Sequence, residues 1–278
     1  MRIGNMFLAA TAAVALSATS LLAGSDRLSI DGQEMTTRAK APDYTPNLDQ
    51  VISGWVFRSE ETQALELDDF DNPSFVFIDQ ANDLWNKVDG SEGKSCASCH
   101  DDVAEFKGLR TVLPRVVDGK LQTLEDIINS ERVNRMGAEP WGYTSAPMAA
   151  MAALISLQSR GMPVQVKIDG DAAPFWERGK EIYYTRVGQL DLACANCHED
   201  NYGKMIRADR LSQGQINGFP TYRLKNAKLN TVHARFKGCM KNVRAKPYKP
   251  GSDEFKALEL YVASRGAGLS VESPSVRN

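Results

Sequence analysis

Four of the five cysteines stand in two matching patterns, Cys96-Ala97-Ser98-Cys99-His100 and Cys194-Ala195-Asn196-Cys197-His198. Cys-x-x-Cys-His is the attachment signature of a c-type haem. The two thiols add to the haem vinyl groups, and the adjacent His is placed to ligate the iron. A redox dithiol would not need the His, and zinc would need further Cys or His beside each pair. The chain holds three His, one of them outside the motifs, so zinc is poorly supported. The expectation is two covalently attached haems, held by Cys96 and Cys99 and by Cys194 and Cys197, with His100 and His198 on the iron.

The fifth cysteine, Cys239, lies in Arg235-Phe236-Lys237-Gly238-Cys239-Met240-Lys241. Arg235, Lys237, Lys241, Arg244 and Lys246 surround it in sequence with no acid among them. Such a field lowers a thiol pKa, and iron would favour the thiolate further. The distal ligand of the second haem is therefore one of Met205, Met240, His233 and Cys239. A buried structural cysteine is the bland alternative for Cys239, but its cationic surroundings favour an iron ligand that also does sulfur chemistry.

These residues need helices to hold them. Apolar residues at Phe75, Ile78, Ala81, Leu84, Trp85 and Val88 follow a helical period, broken by Gly90 and Gly93 before the first motif. Phe175, Trp176, Ile182, Tyr183 and Val187 repeat the arrangement, broken by Gly188 before the second. The two halves also close alike. Pro140-Trp141 leads into Met148–Leu157 and Ser159-Arg160-Gly161, and Pro247-Tyr248 leads into Phe255–Val262 and Ser264-Arg265-Gly266. A repeat of about a hundred residues is far above solenoid periods and reads as duplicated domains. The predicted fold is mainly α, with two duplicated cytochrome c-like domains and an extended N-terminal arm. The predicted limits are 1–24 for a signal peptide, 25–72 for the arm, 73–165 for the first domain and 166–278 for the second. Within the arm, Gly54-Trp55-Val56-Phe57-Arg58 is an apolar patch to which no structure is assigned.

The N-terminus, apolar and Ala-rich behind Arg2, fits a cleaved secretory signal, which implies a periplasmic protein. No later stretch is apolar for long enough to span a bilayer. Net charge is −2, so no global field advertises nucleic acid as a partner. The charge is lopsided, however: between Lys204 and Lys249 there are twelve Lys or Arg and one acid, Asp209. An anionic substrate or partner suits that half.

The dihaem layout, Met136-Gly137-Ala138-Glu139-Pro140-Trp141, Arg235-Phe236-Lys237-Gly238-Cys239 and the ending Tyr261-Val262-Ala263-Ser264-Arg265-Gly266 resemble the SoxA family of bacterial sulfur oxidation. The resemblance implies an L-cysteine S-thiosulfotransferase, which conjugates thiosulfate oxidatively to a cysteine of the SoxYZ carrier. It also implies a SoxX-type monohaem cytochrome c partner and a downstream electron-acceptor cytochrome. The family's catalytic cysteine, a ligand of the second haem that can carry a persulfide, maps onto Cys239, and its substrate-binding arginine maps onto Arg235. The alternatives are a plain dihaem electron carrier and a thiosulfate dehydrogenase that uses no protein acceptor. One departure stands out. The family commonly has a ligand cysteine within Ile-Asn-x-Cys-Arg, whereas here the segment reads Ile128-Asn129-Ser130-Glu131-Arg132. The first haem's distal ligand is thus open between Glu131, Met136, another side chain and none, with a solvent-facing Glu131 the favoured reading.

Overall fold

The computed structural model describes residues 27–278, so the predicted signal peptide lies outside the described residues. The arm opens with two antiparallel hairpins, Leu28–Ile30 with Gln33–Met35 and Arg38–Lys40 with Gln50–Ile52. A turn of 3-10 helix, Gly54–Phe57, and a short helix α1, Glu60–Ala64, follow. The apolar patch within the arm is that 3-10 turn, and Trp55 is buried with Leu28, Ile30 and Met35 in a small core. The arm lies along the second half of the chain. Tyr44 Oη donates to Ser264 O at 2.8 Å, and its ring meets Trp176 edge-on. The Gln213 side chain bonds Ile52 N and Gln50 O, which ties the arm to the loop behind the second motif.

Each half then builds the same bundle. In the first, α2 (Phe75–Asn86), α3 (Leu124–Met136) and α4 (Ala146–Leu157) pack together. Ile78, Ala81 and Trp85, one helical face of α2, are buried with Met148, Ala152 and Ile155 of α4. In the second half, α5 (Ala173–Tyr184), α6 (Cys194–His198), α7 (Val232–Asn242) and α8 (Asp253–Arg265) take the corresponding places. Here the α5–α8 crossing is closer. A Cβ on Gly179 would stand 2.0 Å from Ala257 O, so only glycine lets the two backbones meet.

Side chains start the helices. Thr123 caps α3 in a reciprocal pair with Asp126, and Thr231, Ser145 and Ser252 cap α7, α4 and α8. The glycine before each motif has a specific task. Gly90 and Gly188 adopt φ +77° and +73°, and a Cβ on either would lie 2.2 Å from Met136 O or Val243 O. Each glycine therefore lets the loop entering its motif close onto the C-terminal end of α3 or α7.

The halves also exchange hairpins. Arg115–Val117 and Lys120–Gln122 belong to the first half, yet Leu121 and Val116 pack into the second core. Thr221–Arg223 and Lys228–Asn230 belong to the second half, yet Leu229 and Tyr222 pack into the first. The C-terminal strand Ser275–Arg277 adds in parallel to Thr221–Arg223. No helix among the described residues is long and apolar enough to cross a membrane.

Candidate functional site

Each motif forms a tight turn that its own middle residues close. In the first, Ser98 Oγ accepts from Ser95 N at 2.9 Å; in the second, Asn196 Oδ1 accepts from Ala193 N at 2.9 Å. His198 Nδ1 donates to Ser212 O at 2.8 Å, which leaves Nε2 free to coordinate a metal. The Ser212–Gly214 segment lies tight against the ring, since a Cβ on Gly214 would come 2.8 Å from His198 Cγ. His100 Nδ1 stands 3.4 Å from Glu105 Oε2, with Phe106 and Trp85 beside the ring.

In the first half Cys96, Cys99 and His100 open on a cleft between α2, α3 and α4. Trp85, Leu109, Leu124, Ile128 and Ile155 contribute its apolar wall. Ligand pockets are lined mostly by apolar side chains with a few placed polar groups. An apolar cleft with two thiols and one imidazole at its edge fits a covalently bound haem. No group of three or more His, Cys, Asp and Glu among the described residues is arranged to hold a bare metal ion.

The second half brings together residues far apart in sequence. Cys239 on α7 stands close enough to the ring of His198 for the imidazole to favour its thiolate, so the two side chains share one site. Burial opposes ionisation of Cys239. The Arg235 guanidinium, the His198 hydrogen bond and the Arg223 charge outweigh it and bring the thiol down to about 7. Cys239 as a residue is half-buried by surface area. Arg235 precedes Cys239 by one helical turn and shares its face.

Two further arginines join this group. Arg223 is brought beside Arg235 and Cys239 by the strand pairing Thr221–Arg223, and its Nε donates to Asn278 O at 2.8 Å. Arg58, in the arm, pairs with Asp209 and also bonds Arg210 O. Burial lowers the pKa of both arginines, and the neighbouring Arg235 lowers each further, so the cationic charge is crowded. Asp209 offsets part of it. Sequence reading named neither residue in this role. Arg223 stood in the basic stretch, but sixteen positions before Cys239, and Arg58 lay in the unassigned patch of the arm.

The other three candidates for the distal ligand stand elsewhere. Met205 is 59% exposed on a hairpin. Met240 packs against the second core. His233 is fully buried, with Nδ1 accepting from Gly251 N at 2.9 Å, Nε2 at 3.2 Å from Glu259 Oε2 and the ring stacked on Tyr143. It belongs to a polar cluster between the halves that includes Glu125, Arg110 and Ser156, the last with an unpaired hydroxyl. Glu131 lines the first cleft and pairs with Arg135 Nε at 2.7 Å.

Comparison with known proteins places this geometry. The family described as SoxA/TsdA, cytochrome c domain, matches twice, over residues 80–164 and 178–271. A protein of Rhodovulum sulfidophilum named L-cysteine S-thiosulfotransferase subunit SoxA is 56% identical over 270 residues, covering 95% of this chain and 94% of that protein. Its namesake in Paracoccus pantotrophus is 59% identical over 248 residues, covering 88% and 86%. The crystal structure of SoxXA from P. pantotrophus superposes with a TM-score of 0.88 at 57% identity, covering 91% of this chain and 97% of that one.

Proposed function

The chain belongs to the SoxA/TsdA cytochrome c family, and we propose that it is the L-cysteine S-thiosulfotransferase subunit of a thiosulfate-oxidising cytochrome complex. The reading gives it two covalent haems, one on Cys96 and Cys99 with His100, the other on Cys194 and Cys197 with His198 and Cys239. The single observation that carries it is the thiol of Cys239 gathered with His198, Arg235 and Arg223 in one site.

The reaction joins a thiosulfate sulfur to a carrier cysteine. One S–S bond forms, the carrier thiol gives up its proton, and two electrons leave. Bound haem supplies the electron sink. The protein's own side chains do the rest. Arg235 and Arg223 seat the thiosulfate dianion by charge-assisted hydrogen bonds, for which a guanidinium offers a paired geometry. Cys239, whose thiol this cationic pocket brings down to about 7, is the one cysteine outside the attachment motifs and the thiol available for the sulfur chemistry. The outer lysines and arginines of the same stretch suit the docking of an anionic partner. The carrier is of the SoxYZ type, a SoxX-type monohaem cytochrome c completes the complex and a further cytochrome takes the electrons. The Ala-rich N-terminus sends the chain to the periplasm.

The test is Cys239→Ala, with both haems verified by intact mass. Thiosulfate-dependent conjugation to the carrier cysteine is expected to vanish, and unchanged turnover would overturn the reading. Running the wild type with and without carrier separates the transferase from a dehydrogenase that makes tetrathionate.

A further inference from the structure

We propose that Glu131 presents its carboxylate to the distal face of the first haem, where the second domain presents the Cys239 thiol. The inference rests on the reading that the first domain carries a haem.

The duplication supplies the first argument. α3 and α7 begin at Thr123 and Thr231, both threonine caps, and both end against the glycine that precedes their own motif. Counted from those caps, Glu131 and Cys239 occupy the same position, eight residues on. Glu131 lines the same cleft as Cys96, Cys99 and His100. The next residue, Arg132, is committed elsewhere: its guanidinium bonds Asp89 at 2.8 Å and Glu139 O at 2.9 Å and lies 3.9 Å over the Trp141 ring.

Elimination supplies the second. The chain has five cysteines and three histidines. Four cysteines are in the attachment motifs, Cys239 faces His198, and His233 is buried against Glu259. Besides His100 and its cysteines, the carboxylate and thioether donors lining the first cleft are Glu131, Met136 and Met151. Met151 is fully buried in α4, within the packing against α2. Met136 ends α3, about 7.5 Å along the axis from Glu131 at 1.5 Å per residue, and its carbonyl is held by Glu92 N at 3.1 Å. Glu131 is the donor at the position that the second domain uses.

A carboxylate is a hard, anionic donor. It suits ferric iron and suits ferrous iron poorly, so this site differs in kind from a thiolate one. Its present partner is Arg135, an exposed ion pair that competes weakly. With a bound haem reduced by dithionite, Glu131 would stay paired with Arg135 and leave room for a small neutral ligand.

The experiment uses the full dihaem chain, with intact mass as the first readout and carbon monoxide as the probe of the reduced protein. The expected result is one carbon monoxide bound per chain. Glu131→Gln should change the ferric spectrum of one haem only. Glu131→Cys should abolish carbon monoxide binding and double the low-spin thiolate signal in spin resonance. Unchanged ferric spectra in Glu131→Gln, or loss of the first haem's distal ligation in Met136→Leu alone, would overturn the assignment while leaving the dihaem reading intact. A mass with one haem would overturn both.

Discussion

Arg235 and Cys239 lie four residues apart on α7, on one helical face, so guanidinium and thiol point into the same space. The thiol faces His198 across that space, and Arg223 arrives from a strand to flank it.

Arg235→Ala should therefore weaken substrate binding more than it disturbs the fold. A hydrogen bond to a charged group is worth about 1.5–3 kcal/mol, which is roughly a tenfold to hundredfold loss in kcat/KM for thiosulfate. Arg235→Lys keeps the charge and loses the paired geometry, so it should recover only part of the loss. Steady-state kinetics with haem content held equal checks this.

The ion pair directly behind His198 should control the haem site. Arg265 and Glu199 are both buried and paired, with the guanidinium 4.5 Å over the Tyr183 ring. Glu199→Ala leaves a buried charge without its partner, which costs about 3–5 kcal/mol. The expected outcome is a lower denaturation midpoint together with reduced occupancy of the second haem, read from the haem-to-protein absorbance ratio.

Gly179→Ala puts a methyl 2.0 Å from Ala257 O at the α5–α8 crossing. Overpacking a tight core typically costs about 1–3 kcal/mol, and backbone cannot move aside as a flexible side chain would. Denaturant titration should show destabilisation of at least that size. Ala81→Gly, at the matching place in α2, should instead destabilise mildly by adding flexibility.

Stability should fall with rising pH through the lock between arm and tail. Glu66 accepts from Val276 N at 2.8 Å and shares Arg277 with Glu272. Burial pushes Glu66 up to about 8, the nearby Glu272 adds to this, and Arg277 only partly opposes it. A carboxyl whose folded pKa is raised binds more protons folded than unfolded, so its stabilisation is complete below about 4.5 and is lost as pH rises towards about 8. Glu66→Gln should flatten the fall, as measured by denaturation midpoints across that range.

Much of this molecule could be read before it was seen. The helical periods around Trp85 and Tyr183, the glycines before each motif and the matched closing helices identify a duplicated bundle, because each rule acts over a few residues of chain. The attachment cysteines and their histidines are legible for the same reason: the chemistry fixes their spacing. The exchange of hairpins between halves is not legible, since it depends on which core offers Leu121 and Leu229 a tighter fit.

The sequence by itself determined the residue types that do chemistry, their local turns and the helix that pairs Arg235 with Cys239. Only the tertiary structure decided which groups share a site. It brought Cys239 to His198, buried His233 against Glu259, and set Arg223 beside a thiol far away in the chain, with Arg58 next to Arg223. Helical spacing is a local property of the backbone. A pocket assembled from a helix, a strand and an arm is set by long-range packing, where burial and charge choose among arrangements that local spacing leaves equally open.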